Sequence, residues 1–337
     1  MKPALVHVVM DQASFAERRP GPLLRPVLFA LAAALLGGGA FYAFDALSAG
    51  VTAPESWRAL AHSEGKQDAG DAVPAGQEGE LRLYACRATI NKDVHVGRIR
   101  QDFAGCHIGF DGKETEVTPF EALEATWRPG TEAMQAATPA GSERSISAEG
   151  GFEVANLYIC RAAYQGGIHT GQARSGEKGC SFGFGGKRIV ASSYEVLQKA
   201  PWMTWALVTA RNLPETAIVA GSEGGEPFFA CRAADRQGLH PGKIKRNAMG
   251  CSIVSDGHEA IVERFEVLVS RWVAGRNGSV PVPAVPVGWE GSTLQFACRA
   301  QTRDSVQVGK VSEALGGCHV GMLGREVVLS DYEVLSQ

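Results

Sequence analysis

Apolar and polar positions along most of this chain alternate with a period of two, in short runs broken by glycine and proline. In the run Leu157 to Ala162, Tyr158, Cys160 and Ala162 fall on one face and Leu157, Ile159 and Arg161 on the other, as the pleat of a strand requires. Runs such as Cys106, Ile108, Phe110 and Cys180, Phe182, Phe184 keep the same period, and both kinds of run place a cysteine on a face that reads as buried. The 41 glycines and 16 prolines are spread through the chain, which predicts many turns between short strands. The pattern predicts an all-β protein.

The run occurs four times. Its copies open at Tyr84-Ala85-Cys86-Arg87-Ala88, Leu157-Tyr158-Ile159-Cys160-Arg161-Ala162, Phe229-Ala230-Cys231-Arg232-Ala233 and Phe296-Ala297-Cys298-Arg299-Ala300. Each closes on an aromatic-Glu-x-Leu tetrapeptide, and Trp57, Trp127, Trp205 or Trp272 precedes it. Self-similarity of this kind predicts a tandem architecture whose units bury a core together. The copies are placed at 49–124 (with a stalk), 125–198, 199–269 and 270–337. The eight cysteines fall at equal spacing as Cys86 and Cys106, Cys160 and Cys180, Cys231 and Cys251, and Cys298 and Cys318, which predicts one disulfide per copy between neighbouring strands.

The alternation is absent only near the start. Val27 to Phe44 carries no charge, and a segment over 27–48 is long enough at helical rise to cross a bilayer. Arg18, Arg19 and Arg25 lie before it and Asp45 and Glu55 after it. The positive-inside rule then leaves residues 1–26 as a cytoplasmic leader and exports the copies to a periplasm or the extracellular space. Ala46-Leu47-Ser48 before Ala49 also offers a small-residue cleavage site, so secretion after signal cleavage is the alternative.

Composition narrows the function. With 45% hydrophobic and 20% charged residues and a net charge of -3, the chain is globular and lacks the basic footprint of a nucleic-acid binder. No nucleophile elbow, phosphate-binding glycine loop or His-Glu-x-x-His is present, so the expectation is a non-enzyme without a cofactor. His95, His169 and His240 recur between the cysteines, and His107 and His319 follow the second one. Gln307 and Ser181 break both series, however, so a four-ligand metal site is the weaker reading and none is assigned.

Other recurring polar positions fall into two groups. Arg87, Arg161, Arg232 and Arg299 match Glu121, Glu195, Glu266 and Glu333 one to one, as structural ion pairs within each copy would. Arg98, Gln172, Lys243 and Lys310 each follow a glycine in mid-copy, and a glycine there suggests a turn that sets the base at a loop edge. Gly112-Lys113-Glu114, Gly186-Lys187-Arg188, Gly257-His258-Glu259 and Gly324-Arg325-Glu326 read as a second charged turn. Exposed cations at matched turns suit a binding rim, and four near-equivalent surfaces suit multivalent binding.

Taken together, the aromatic-x-Cys-Arg-Ala opening, the Gly-Lys, Gly-Cys and Gly-Gly-Lys elements and the closing Tyr-Glu-Val-Leu resemble the DM9 repeat, or DUF3421, family. Trp205 with Pro214, Ala217-Ile218 and Gly221, and Trp272 with Pro283, Ala284-Val285 and Gly288, are similar to its upstream part. The resemblance implies an all-β fold in which repeats pair into β-sandwich-like lobes, and lectin-like binding of glycans, mannose-type among them. It also implies that the bases Arg98, Lys243 and Lys310 and the acids Glu78, Glu223 and Glu290 contact sugar hydroxyls. Gln172, and Ser255-Asp256-Gly257-His258 in place of Gly-Gly-Lys, depart from the family pattern and mark the second and third copies as structural partners. The alternative is a non-catalytic envelope scaffold or adhesion protein whose copies bind protein partners.

Overall fold

The computed structural model describes residues 56–59, 70–130, 133–147, 149–209 and 212–337. The expected leader over 1–26 and apolar segment over 27–48 lie outside the described residues. Among the described residues no helix is long and apolar enough to cross a membrane. The described residues of the unit Val51–Gln337 form an all-β fold with one short 3-10 turn, Met134–Ala136.

Each copy folds as seven strands. In the first these are Trp57–Ala59, Pro74–Glu78, Leu81–Ile90, Asp93–Ile99, Cys106–Phe110, Lys113–Val117 and Phe120–Leu123, and the same series follows in the other three. The lead strand pairs with the closing strand of its own copy, so that each tryptophan opposes the leucine of the closing tetrapeptide: Trp57 with Leu123, Trp127 with Leu197, Trp205 with Leu268 and Trp272 with Leu335. That register brings the arginine of the opening motif opposite the glutamate of the closing one. Arg87 Nε donates to Glu121 at 2.6 Å, Arg161 to Glu195 at 2.8 Å, Arg232 to Glu266 at 2.6 Å and Arg299 to Glu333 at 2.7 Å. The other side of each guanidinium covers the copy's tryptophan, at 4.2 to 4.9 Å from the ring centroid. The tryptophan that heralds each copy is thus one member of a Trp-Arg-Glu stack that fixes the copy's outer edge.

Four disulfides form within the copies, Cys86–Cys106, Cys160–Cys180, Cys231–Cys251 and Cys298–Cys318, with Cα–Cα distances of 5.7 to 6.0 Å. They do not join hydrogen-bonded neighbours. The two cysteine strands flank a third, and the residue of that third strand opposite the first cysteine is Gly97, Gly171, Gly242 or Gly309. A Cβ there would stand 1.9 to 2.1 Å from the carbonyl oxygen of His107, Ser181, Ser252 or His319. Glycine is what lets the strand of the second cysteine close in.

The copies pair in a nested order. One 14-stranded sheet combines the first and fourth copies, and a second combines the second and third. The joins repeat in both sheets: Gln77 pairs with Val306 and Val94 with Trp289 in one, Ser222 with Ile168 and Ser142 with Leu239 in the other. The tryptophans and closing leucines of both sheets, with Leu83, Ile159 and Ile218, form a single buried cluster to which all four copies contribute. Each copy keeps a smaller apolar cluster around its own disulfide.

Candidate functional site

The mid-copy glycines are not turns, which corrects the expectation that the following base stands exposed at a loop edge. Gly97, Gly171, Gly242 and Gly309 lie inside the strands Asp93–Ile99, Gly167–Arg174, Gly238–Ile244 and Ser305–Val311. The glycine serves the close approach just described, and the base after it points into the protein. Arg98, Lys243 and Lys310 are only 3, 6 and 3% exposed. The second charged element is a true turn: Gly112, Gly186, Gly257 and Gly324 have φ of +73 to +78°, the left-handed region that glycine enters without strain.

Burial of a cation needs partners, and the nested pairing supplies them from the opposite copy. Lys310 Nζ donates to His95 Nδ1 at 3.0 Å, and Gln295 Nε2 donates to the same nitrogen at 3.3 Å. Phe110 places its ring 5.3 Å from the ammonium and 5.0 Å from the imidazole. In the other sheet Lys243 Nζ donates to His169 Nδ1 at 2.8 Å, while His169 Nε2–H donates to the carbonyl of Tyr164 at 3.1 Å. Phe182, Phe184 and Tyr164 surround that imidazole, and Phe228 lies under the ammonium at 4.8 Å. Both histidines therefore act as neutral acceptors. Burial, with help from Lys310, pushes His95 down to about 4, and burial followed by Lys243 lowers His169. Burial also lowers Lys310 and pushes Lys243 down to about 8, against the pull of Glu259 and Glu223.

An acid stands near each base. Glu223 is held by Lys245 Nζ at 3.0 Å, Glu78 by Arg100 at 2.7 Å, and Glu290 accepts from Gln295 Nε2 at 3.1 Å. Each of the two lysine sites is thus composite: base and acid come from one copy, and the histidine with Phe182 or Phe110 from the other. At the counterpart of the His95 site, Gln307 replaces histidine, and its Oε1 and the Nε of Arg98 are buried without a hydrogen-bond partner. Arg98 instead reaches Glu114 at 3.0 Å.

The turn carboxylates tie the paired copies together. Glu114 accepts the backbone N–H of Gly324 at 2.7 Å, and Glu326 accepts that of Gly112 at 2.8 Å. Glu259 does the same for Gly186, and with Arg188 in the second copy the return bond is missing.

A family model described as the DM9 repeat matches residues 152–262 and 222–329, just over half of the chain. The chain belongs to the DM9 repeat family. The first copy lies upstream of the matched residues and has the same seven strands and disulfide. No curated protein matches the chain. A nematode sperm cell motility protein, MFP2B, is similar at 13% identity over 83% of this chain and 96% of its own, with a TM-score of 0.18, which carries no argument about function.

The structure brings Lys243 and Glu223 to one site and Lys310 and Glu290 to another, and places Arg98 and Glu78 at the third. Sequence reasoning missed Glu143, which holds the equivalent acid position in the second copy, 3.5 Å from Arg174. Its signal was present in Pro139-Ala140-Gly141-Ser142-Glu143, parallel to Pro74-Ala75-Gly76-Gln77-Glu78. His95, His169 and His240, which recur between the cysteines, take buried hydrogen-bonding places. The first two buffer a buried ammonium, and His240 faces Asp235 at 3.0 Å and Gln172 at 3.2 Å.

Proposed function

We propose that this DM9 chain is a non-catalytic, lectin-like glycan-binding protein, with mannose-type glycans as its ligands, exported and held at a membrane by the segment over 27–48. The observation that carries the reading is the composite site of Lys243, Glu223 and His169, in which an ammonium and a carboxylate stand within reach of one imidazole and the ammonium lies against the rings of Phe182 and Phe228. A sugar presents adjacent hydroxyls that need one donor and one acceptor and an apolar ring face that needs an aromatic wall. The Lys310, Glu290 and His95 site repeats the arrangement in the other sheet, so one chain offers linked sites and avidity. Four disulfides among the described residues suit an oxidising compartment.

Substitution of the two more exposed acids, Glu223→Gln with Glu290→Gln, should abolish binding of mannose-containing glycans on an array while leaving the thermal midpoint within a few degrees. The near-complete burial of both lysines favours a second reading, in which they hold paired copies together in a protein-binding scaffold. In that case the array stays blank for the unaltered chain, and Lys243→Ala with Lys310→Ala lowers the thermal midpoint markedly.

A further inference from the structure

The second copy departs from the other three at features that meet in one cleft. It has Gln172 where the others carry a buried base, and Arg188 where they carry Glu114, Glu259 and Glu326. Its first hairpin, Pro139–Ile146 with Phe152–Tyr164, is also longer than its counterpart in the first copy, Pro74–Glu78 with Leu81–Ile90. The extension forms one wall of a cleft of about 700 Å3, with Gln172 and Ser181 among its lining residues and Arg188 and Arg236 beside them. Phe152 stands on that wall 83% exposed.

Charge in this cleft is unbalanced. Glu143 and Glu177 both lie against Arg174, and Asp256 accepts from Gln237. Arg144, Lys178 and Arg236 have no ion pair among the described residues, and Arg188 Nε is oriented by donation to Ser181 Oγ at 2.7 Å. The bland account is that Arg188 restores the positive charge lost at Gln172. That account requires Arg188 to take the buried place of the missing base, whereas it is exposed on the cleft side and Gln172 is paired instead with His240. An oriented guanidinium in a partly enclosed space is a carboxylate receptor, because its parallel N–H donors match the two oxygens.

We infer that this cleft binds an acidic saccharide, taking the carboxylate of a uronate unit with Arg188 and Arg236 and the apolar face of the ring with Phe152. The inference rests on the saccharide reading above but assigns a separate site and the opposite demand on ligand charge. The neutral-glycan sites each offer a single buried base already committed to a histidine, Lys243 to His169 and Lys310 to His95.

The test is calorimetric titration of the full-length chain in detergent at low salt with trigalacturonate and with mannotriose. Trigalacturonate should bind, weaken with added salt, and lose about tenfold or more in affinity in the Arg188→Gln, Arg236→Gln double variant. Phe152→Ala should weaken it by several-fold, and mannotriose should be indifferent to these changes. All three side chains are exposed, so an unchanged thermal midpoint is expected and shows that each variant is folded. Trigalacturonate binding no tighter than mannotriose, or binding insensitive to both variants, overturns the inference. If mannotriose fails while trigalacturonate binds with this sensitivity, the neutral-glycan reading falls and the acidic site stands; the converse result leaves only the neutral sites.

Discussion

His95 and Gly97 are two residues apart on one strand and show what a single position does in this fold. His95 is 1% exposed and neutral, with its proton affinity pushed from 6.5 to about 4 by burial and Lys310. Between those pH values the unfolded chain takes up a proton that the folded one refuses, so stability falls as pH drops from about 6.5 to 4 and then levels. At about 1.4 kcal/mol per unit, this group alone costs about 3 kcal/mol over that window. His95→Gln, which copies Gln307 of the fourth copy, should flatten the acid limb of a urea-denaturation series by roughly that amount. Gly97→Ala should cost about 3 kcal/mol by the same measurement at neutral pH, because the added Cβ would meet the His107 carbonyl at 2.1 Å and backbone cannot give way as a side chain can. Glycine in mid-strand is ambiguous in the sequence: by composition alone it reads equally as a turn or as a place where another backbone approaches, and only the second buries the base beside it.

Among the elements, the pairing of the cysteines was legible in the sequence because equal spacing repeats four times, and the strand faces were legible from the period of two. What the sequence did not contain was that a third strand runs between each cysteine pair, since alternation gives the face of a residue but not its neighbour across the sheet. Each disulfide closes a loop with a sequence separation of 20, which in the chain-entropy model contributes about 3 kcal/mol. The Cys231→Ser, Cys251→Ser double variant should lose about that much in chemical denaturation. Glu143 was hidden by the longer hairpin that follows it, which spoils a fixed spacing to the cysteine, although alignment on Gly141 recovers it.

For the whole molecule, the choice of partner was the least legible feature, because all four copies share one series of strands and one alternation, which single out no pairing. The decision falls to particulars such as Lys310 on His95 and Lys243 on His169, which act only once the copies are side by side. A fragment over 125–270 contains every strand of the sheet built from the second and third copies. It should therefore keep strand-type circular dichroism and resist limited proteolysis. A fragment of similar length over 49–198 contains half of each sheet and should be digested rapidly.

The nested order also sets a timetable. Lys243 and His169 are 74 positions apart, whereas Lys310 and His95 are 215 apart, and contacts of longer separation form later. The inner pair closes while the first copy still waits for the fourth, holding open the strand edges at Gln77 and Val94 that will later join Val306 and Trp289. Waiting edges accept any strand of matching pattern. A fourth copy from a second molecule matches as well as the chain's own, so protein concentration during folding decides whether the outer sheet closes within one molecule or exchanges between two.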